Sequence, residues 1–268
     1  MTNRVTKHDS VISSEQRQKI SNRYKRITKA INKEFWNSES ETGNSFYVGS
    51  YGRGTAINTS DIDILVSLPS DLFDSYNNLS GNVQSRLLQA VRSAIKQSYP
   101  TSDIRADGQI VKINFCDGIL FEILPAFQKN DGTYIYPDSN LGGNWLSTNP
   151  KAEQDEIRKK NKSSNGLLVA TCQHLRDIRD NNFKSYHLSG IVIDSFVYEA
   201  IGNWRFASTS KGSSNEGTYE KNLLEHFNKK ALWWILDFES LKAPGSGDDI
   251  DTKKSIECLE KVLKYIAE

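Results

Sequence analysis

The sequence predicts an α+β fold, with a mixed sheet flanked by helices over residues 1–150 and a helical lobe over residues 151–268. Three observations predict it. Apolar residues recur at helical spacing between residues 13 and 36. Short runs rich in Val, Ile and Leu, bounded by glycine, aspartate and proline, follow as far as residue 127. Beyond a loop rich in Gly, Asn and Pro (130–150), only helical periodicity is found. A chain of 268 residues suits one large domain or two small ones, and a soft boundary falls near Pro150.

Residues 13–36 read as one long helix: Ser13 with Gln16 makes a capping box, and Ile20, Tyr24, Ile27, Ile31 and Phe35 form one stripe. SESETGNS (38–45) is a loop. Phe46-Tyr47-Val48 is a short strand entering a glycine turn, and Asp61–Leu68 is a second strand, stopped by Pro69. Val83, Leu87, Leu88, Val91 and Ile95 mark a helix that ends before Pro100. Ile110–Phe115 alternates apolar and polar residues, Cys116-Asp117-Gly118 turns, and Ile119–Leu124 returns, closed by Pro125. In the second half, helices are predicted over residues 151–162, Leu167–Arg179, Leu188–Ile201, Tyr219–Phe238 and Thr252–Ala267, with loops at 211–218 and 243–249. Trp233-Trp234 reads as core packing.

Lys plus Arg number 34 and Asp plus Glu 33, so the net charge of +1 speaks neither for nor against an anionic partner. No nucleic-acid activator is indicated. The three cysteines are dispersed and odd in number, which fits a reducing compartment rather than a disulfide framework. No Cys or His spacing suggests structural zinc. MTNRVTKHDS lacks the apolar core of a signal peptide, and the longest apolar run, Ala231–Leu236, is too short to span a bilayer. The expectation is a cytoplasmic protein without a membrane partner.

The chemistry concentrates in GSYGRGTAINTSDIDILVSLP (49–69). On a strand, residues two apart share a face, so Asp61 and Asp63 project together while Ile62 and Ile64 face the core. Paired carboxylates repel unless a cation lies between them. Mg²⁺ favours a few carboxylates plus substrate phosphates, and two such ions clamp the attacking and leaving oxygens of a phosphoryl transfer. Upstream, Gly49-Ser50 lets the backbone approach a phosphate, with the Ser50 hydroxyl as a further donor. Arg53 reaches the same anion or makes a structural ion pair. Glu122, inside the apolar GILFEILPAF, either faces solvent from an edge strand or joins Asp61 and Asp63 as a third acid and proton acceptor.

A Gly-Ser turn, Asp-x-Asp and a later third carboxylate resemble the polymerase-β-like nucleotidyltransferases. GSYGRGTAINTSDIDILV is closer still to the bacterial relatives of cyclic GMP-AMP synthase, the CD-NTases, and FEILPAF resembles their third-acid strand, with Glu122 where Asp is usual. NWLSTNPKAEQDEI (144–157) is similar to a Trp-x-x-Thr-x-Pro stretch of the family, and LKAPGSGDDI (241–250) to a late loop. KSYHLSGIVIDSF (184–196) resembles the helix start that carries a phosphate-binding Ser and a base-stacking aromatic. By that likeness Ser185 holds phosphate and Tyr186 stacks on a base, a core aromatic being the alternative for Tyr186. Arg176, in HLRDIRD, falls near a Lys that relatives use on the donor phosphates.

The resemblance implies a polymerase-β-like core behind an N-terminal spine helix, a helical C-terminal lobe, and a nucleotide between the lobes. Asp61, Asp63 and Glu122 would hold Mg²⁺ or Mn²⁺, and Gly49, Ser50, Arg53, Arg176, Ser185 and Tyr186 the nucleotides. The implied substrates are ribonucleoside triphosphates: ATP, with GTP, UTP or CTP. The implied product is a cyclic di- or oligonucleotide, a second messenger that activates a separate effector in anti-phage (CBASS-type) defence. Two alternatives stand beside it: a nucleotidyltransferase modifying RNA, protein or a small molecule, and an inactive nucleotide- or RNA-binding module. RKKNK (158–162) is a solvated helix face or a lining for triphosphate, and the four histidines show no ligand spacing.

Overall fold

Ser13 Oγ accepts a hydrogen bond from the Gln16 amide at 3.1 Å and caps α1 (Ser14–Trp36). The predicted stripe Ile20, Tyr24, Ile27 and Ile31 is buried, and Asn37, in the left-handed conformation, ends the helix. The computed structural model describes residues 4–6, 11–207, 214–232 and 241–268. His8, Trp233-Trp234, part of the 211–218 loop and the end of the helix predicted over Tyr219–Phe238 lie outside these residues. By internal contacts the chain forms two units. One comprises Ile12–Gly52 and Thr59–Asn149; the other comprises Arg53–Asn58, Pro150–Glu268 and the described part of Met1–Val11.

The first unit holds the sheet. Its strands are β1 (Ser45–Tyr47), β2 (Ile62–Leu68), β3 (Asp103–Asp107), β4 (Ile110–Asn114), β5 (Leu120–Gln128), β6 (Tyr134–Asp138) and β7 (Asn144–Thr148). The order is β1-β2-β5-β4-β3, with β6 pairing the end of β5 and β7 pairing β6. Among the described strands β2 and β5 run parallel and the other pairs antiparallel, so the sheet is mixed. Between β1 and β2 the chain makes α2 (Gly49–Arg53), and between β2 and β3 come α3 (Ser70–Asn77) and α4 (Val83–Ser98). α1 and α4 pack on each other and on the sheet. Ile62, Ile64, Val66, Phe121 and Ile123 are at most 2% exposed, and each such side chain contributes about 1.5–3 kcal/mol. Trp145 of β7 packs on Phe73 and Phe127, and its Nε1 donates to Asn77 Oδ1.

The second unit is helical: α5 (Pro150–Ser163), α6 (Leu167–Asn182), α7 (Gly190–Ala200), α8 (Thr218–Leu232) and α9 (Ile256–Ala267). Leu168, Leu175, Val192, Phe196, Leu223, Phe227, Leu259 and Val262 join in its core. The segment 158–162 forms the solvated face of α5, with Arg158 paired to Asp155 and Lys159 to Glu156.

Three expectations are corrected. The glycine turn closes into the short α2, where Gly52 N donates to Val48 O. Pro125 does not end its strand. β4 pairs β5 only up to Ile123 and β6 takes over at Phe127, so Pro125, which has no N–H to give, sits in the gap between two partners. Residues 130–150 are not a loop but the β6–β7 hairpin. α3 and β3 also lack a counterpart in the periodicity; α3 buries no residue and β3 only Ile104.

Candidate active site

Alternation along β2 sends Ile62 and Ile64 to one face and Asp63 and Leu65 to the other. The parallel register then sets Asp63 directly beside Glu122 of β5. Asp61 lies exposed one residue ahead of β2. Glu122 does not face solvent from an edge, because β5 is flanked by β2 and β4.

Gly49 follows β1 with φ +57, and a Cβ there would overlap the Asp63 carboxylate. Only glycine lets the chain pass so close to an acid in this conformation. Val48 N donates to Asp63 O at 2.9 Å, tying the start of the turn to the acid strand. Tyr47 stacks on Tyr24 at 4.5 Å and meets Tyr51 at 4.7 Å, which fixes the turn against α1. Ser50 stands next to Gly49 in α2.

Asp61, Asp63 and Glu122 form an all-carboxylate donor set, the chemistry Mg²⁺ or Mn²⁺ takes. Among the described residues no three acidic, His or Cys side chains are gathered closely enough to hold a metal ion. The Asp63 carboxylate lies against Gly49, and Glu122 Oε1 is 3.4 Å from the Lys112 ammonium. The backbone register keeps Asp63 and Glu122 side by side whatever their rotamers, so these two acids fit a divalent ion in chemistry, with Asp61 one residue ahead of the strand. Lys112 also reaches Asp107 at 3.2 Å; the hydrogen bond to Asp107, helped by Glu122, holds its ammonium above the ordinary Lys value.

The predicted phosphate arginines are corrected. In the helical unit, Arg53 Nε donates to Asp194 Oδ2 at 2.8 Å and Arg53 Nη1 to Glu153 at 2.9 Å. Arg176 Nη1 donates to Asp194 Oδ1, and its Nη2 to Gly190 O. Arg176 is 1% exposed. Both guanidinium groups therefore neutralise a buried carboxylate, and the ion-pair alternative for Arg53 is the one realised. Burial pushes the Asp194 carboxyl up, but Arg176 and Arg53 outweigh it and leave it below its ordinary value. At Glu153 burial wins over Arg53 and the carboxyl is raised. Thr55 completes the cluster, its hydroxyl donating to Asp194 Oδ2.

Ser185 and Tyr186 form an exposed turn between α6 and α7. Tyr186 is 37% exposed with the Lys261 ammonium 4.7 Å from its ring centroid, so it is not a core aromatic. A cavity of about 690 Å³ in the helical unit, bordered by Arg4, Trp204, Phe206, Tyr219 and Glu220, contains none of the predicted site residues.

The periodicity missed Lys112 and Asp194, yet each left a signal. Folding Ile110–Phe115 onto Ile119–Leu124 about the Cys116–Gly118 turn brings Lys112 opposite Glu122. Asp194 interrupts the apolar run GIVIDSFV, just as Glu122 interrupts its own.

No curated protein matches the chain. Among solved structures it is similar to the Elizabethkingia meningoseptica CdnE cyclic dinucleotide synthase with GTP and Apcpp (14% identity, TM-score 0.63, 95% of this chain and 97% of that one). It is also similar to the STING-associated CdnE c-di-GMP synthase of Capnocytophaga granulosa (16% identity, TM-score 0.61, 93% and 80%). A third is the Vibrio cholerae DncV cyclic AMP-GMP synthase, a prokaryotic cGAS homolog (13% identity, TM-score 0.55, 82% and 61%). At these identities the likeness establishes the fold, that of the polymerase-β-like CD-NTases. The model of the Second Messenger Oligonucleotide or Dinucleotide Synthetase domain (SMODS) matches residues 5–161, more than half of the chain. The chain therefore belongs to the SMODS family: it is a nucleotidyltransferase, a synthetase of an oligonucleotide or dinucleotide second messenger.

Proposed function

We propose that this chain joins ribonucleoside triphosphates, ATP among them, into a cyclic di- or oligonucleotide at the carboxylate row of its sheet. The observation that carries the reading is the register of Asp63 with Glu122, beside a glycine turn that no larger residue could make. Asp61, Asp63 and Glu122 would hold the divalent ions, and Mg²⁺ or Mn²⁺ bound there would supply Lewis-acid stabilisation of the charge that develops during transfer. Gly49 presents backbone and Ser50 backbone and hydroxyl to the donor triphosphate. A carboxylate oxygen of Glu122 accepts the proton of the attacking ribose hydroxyl. The oxygen freed of that proton bonds to the α-phosphorus, the bond to the β-phosphate oxygen breaks, and pyrophosphate leaves. A second such step closes the ring. In the helical unit, Ser185 contacts phosphate and Tyr186 stacks on a base, an assignment favoured by their exposure in one turn.

Family membership supports the further reading that the product activates a separate effector in CBASS-type anti-phage defence. The test is to incubate the purified protein with the four ribonucleotides, singly and mixed, with Mg²⁺ and with Mn²⁺, and to identify phosphatase-resistant products by mass spectrometry. A cyclic product supports the reading and names its bases. Nucleotide transferred to an added RNA, protein or small molecule, with no cyclic product, overturns it in favour of acceptor modification. Absence of both product and pyrophosphate release overturns it in favour of an inactive binding module.

A further inference from the structure

Lys112 and Glu122 are cross-strand partners in the antiparallel β4–β5 ladder, so their side chains leave the same face of the sheet. The same row continues through the parallel register to Asp63. Three adjacent strands thus set an ammonium and two carboxylates in a line. The Lys112 Nζ is 3.4 Å from Glu122 Oε1 and 3.2 Å from Asp107 Oδ2. The side chains of Lys112 and Glu122 are 33% and 24% exposed, so solvent only partly screens the pair. The glutamate carries its carboxylate one methylene farther out than an aspartate would.

We propose that Lys112 is a positioning residue for Glu122: a built-in counter-ion that occupies the third carboxylate until a divalent ion displaces it. The proposal rests on the reading of Asp61, Asp63 and Glu122 as metal ligands. An ammonium beside a ligand opposes a dication by repulsion and by engaging the oxygen the metal needs. Asp107 gives the ammonium a second partner when Glu122 turns away, so displacement strands no charge. The site then binds metal weakly by itself and favours metal arriving with the negative charge of a triphosphate.

The test is Mn²⁺ binding to the full chain without nucleotide, followed by the electron paramagnetic resonance signal of the free ion. K112M and K112Q are each expected to bind Mn²⁺ about ten-fold tighter than wild type, and K112R to match wild type. In an E122Q background the effect of K112M should vanish, which a merely structural lysine would not produce. Wild-type affinity in whichever of K112M and K112Q melts like wild type overturns the proposal, as does an undiminished gain in E122Q. The double variant D61N/D63N separates the two levels. If it loses Mn²⁺ while K112M changes nothing, only the role of Lys112 falls. If it binds Mn²⁺ as wild type does, the carboxylate site and the role of Lys112 fall together.

Discussion

Arg176 Nη1 donates to Asp194 Oδ1 across 2.6 Å, where the two side chains keep only 2% and 0% of their surface. Arg53 holds the other carboxylate oxygen. Removing the carboxylate leaves two buried guanidinium groups without their shared counter-charge. Asp194→Asn is expected to destabilise the fold by about 3–5 kcal/mol, read as a lower midpoint in urea.

The two carboxylates around Arg53 titrate in opposite senses. Asp194 is held below its ordinary 3.8, so its contribution is complete above that pH and is lost as the pH falls through the lower folded-state value. Glu153 is raised above its ordinary 4.5. The fold takes up its proton before the unfolded chain does, so Glu153 adds stability as the pH falls through that raised value towards 4.5. Melting temperature followed from about pH 7 to about pH 3 should lose that gain in Glu153→Gln. The steep loss below pH 3.8 is expected to persist in Glu153→Gln.

A methyl group at position 49 meets the Asp63 carboxylate and also needs a left-handed backbone. Gly49→Ala should therefore lower kcat by about a hundred-fold, the scale of an ångström's misplacement. The left-handed residue itself costs about 1–2 kcal/mol of stability. Steady-state pyrophosphate release together with a melting curve separates the two effects.

Asp61→Asn with Asp63→Asn removes the charge pair that the metal reading requires. Pyrophosphate release should fall to background while the circular dichroism spectrum and melting temperature stay near wild type. Unchanged turnover would remove the mechanism.

Tyr186 is an exposed ring with Lys261 above it, so it carries little of the core. Tyr186→Ala should leave stability within about 0.5 kcal/mol. It should raise KM for nucleotide by the equivalent of about 1–3 kcal/mol of lost stacking, and Tyr186→Phe should restore it. A KM unchanged in Tyr186→Ala would place the base elsewhere.

Where periodicity is strong the sequence was enough. The stripe of α1, the seven-residue β2 and the β4–β5 hairpin all bury every second or every third-to-fourth residue, and the pairing of β2 with β5 sets Asp63 beside Glu122. Where burial is sparse it was not: β3 buries Ile104 alone, α3 nothing, and β7 consists of exposed and half-buried residues. The β5–β6 and β6–β7 pairings are local hairpins, the first turning at Asp131-Gly132, but the Gly, Asn and Pro spread through 130–150 masked their short strands. The arginines show another limit. Their charge suggested an anion, but the anion is Asp194, more than a hundred residues from Arg53 in sequence.

The parallel pairing of β2 with β5 also has a kinetic meaning. Asp63 and Glu122 are roughly sixty residues apart, a closure whose entropic cost precedes any reward. The hairpin that aligns Lys112 with Glu122 is local and needs no such closure. A nascent or partly folded chain can thus form the lysine–glutamate pair before the two acids have met, and the acids come side by side only once β2 docks on β5.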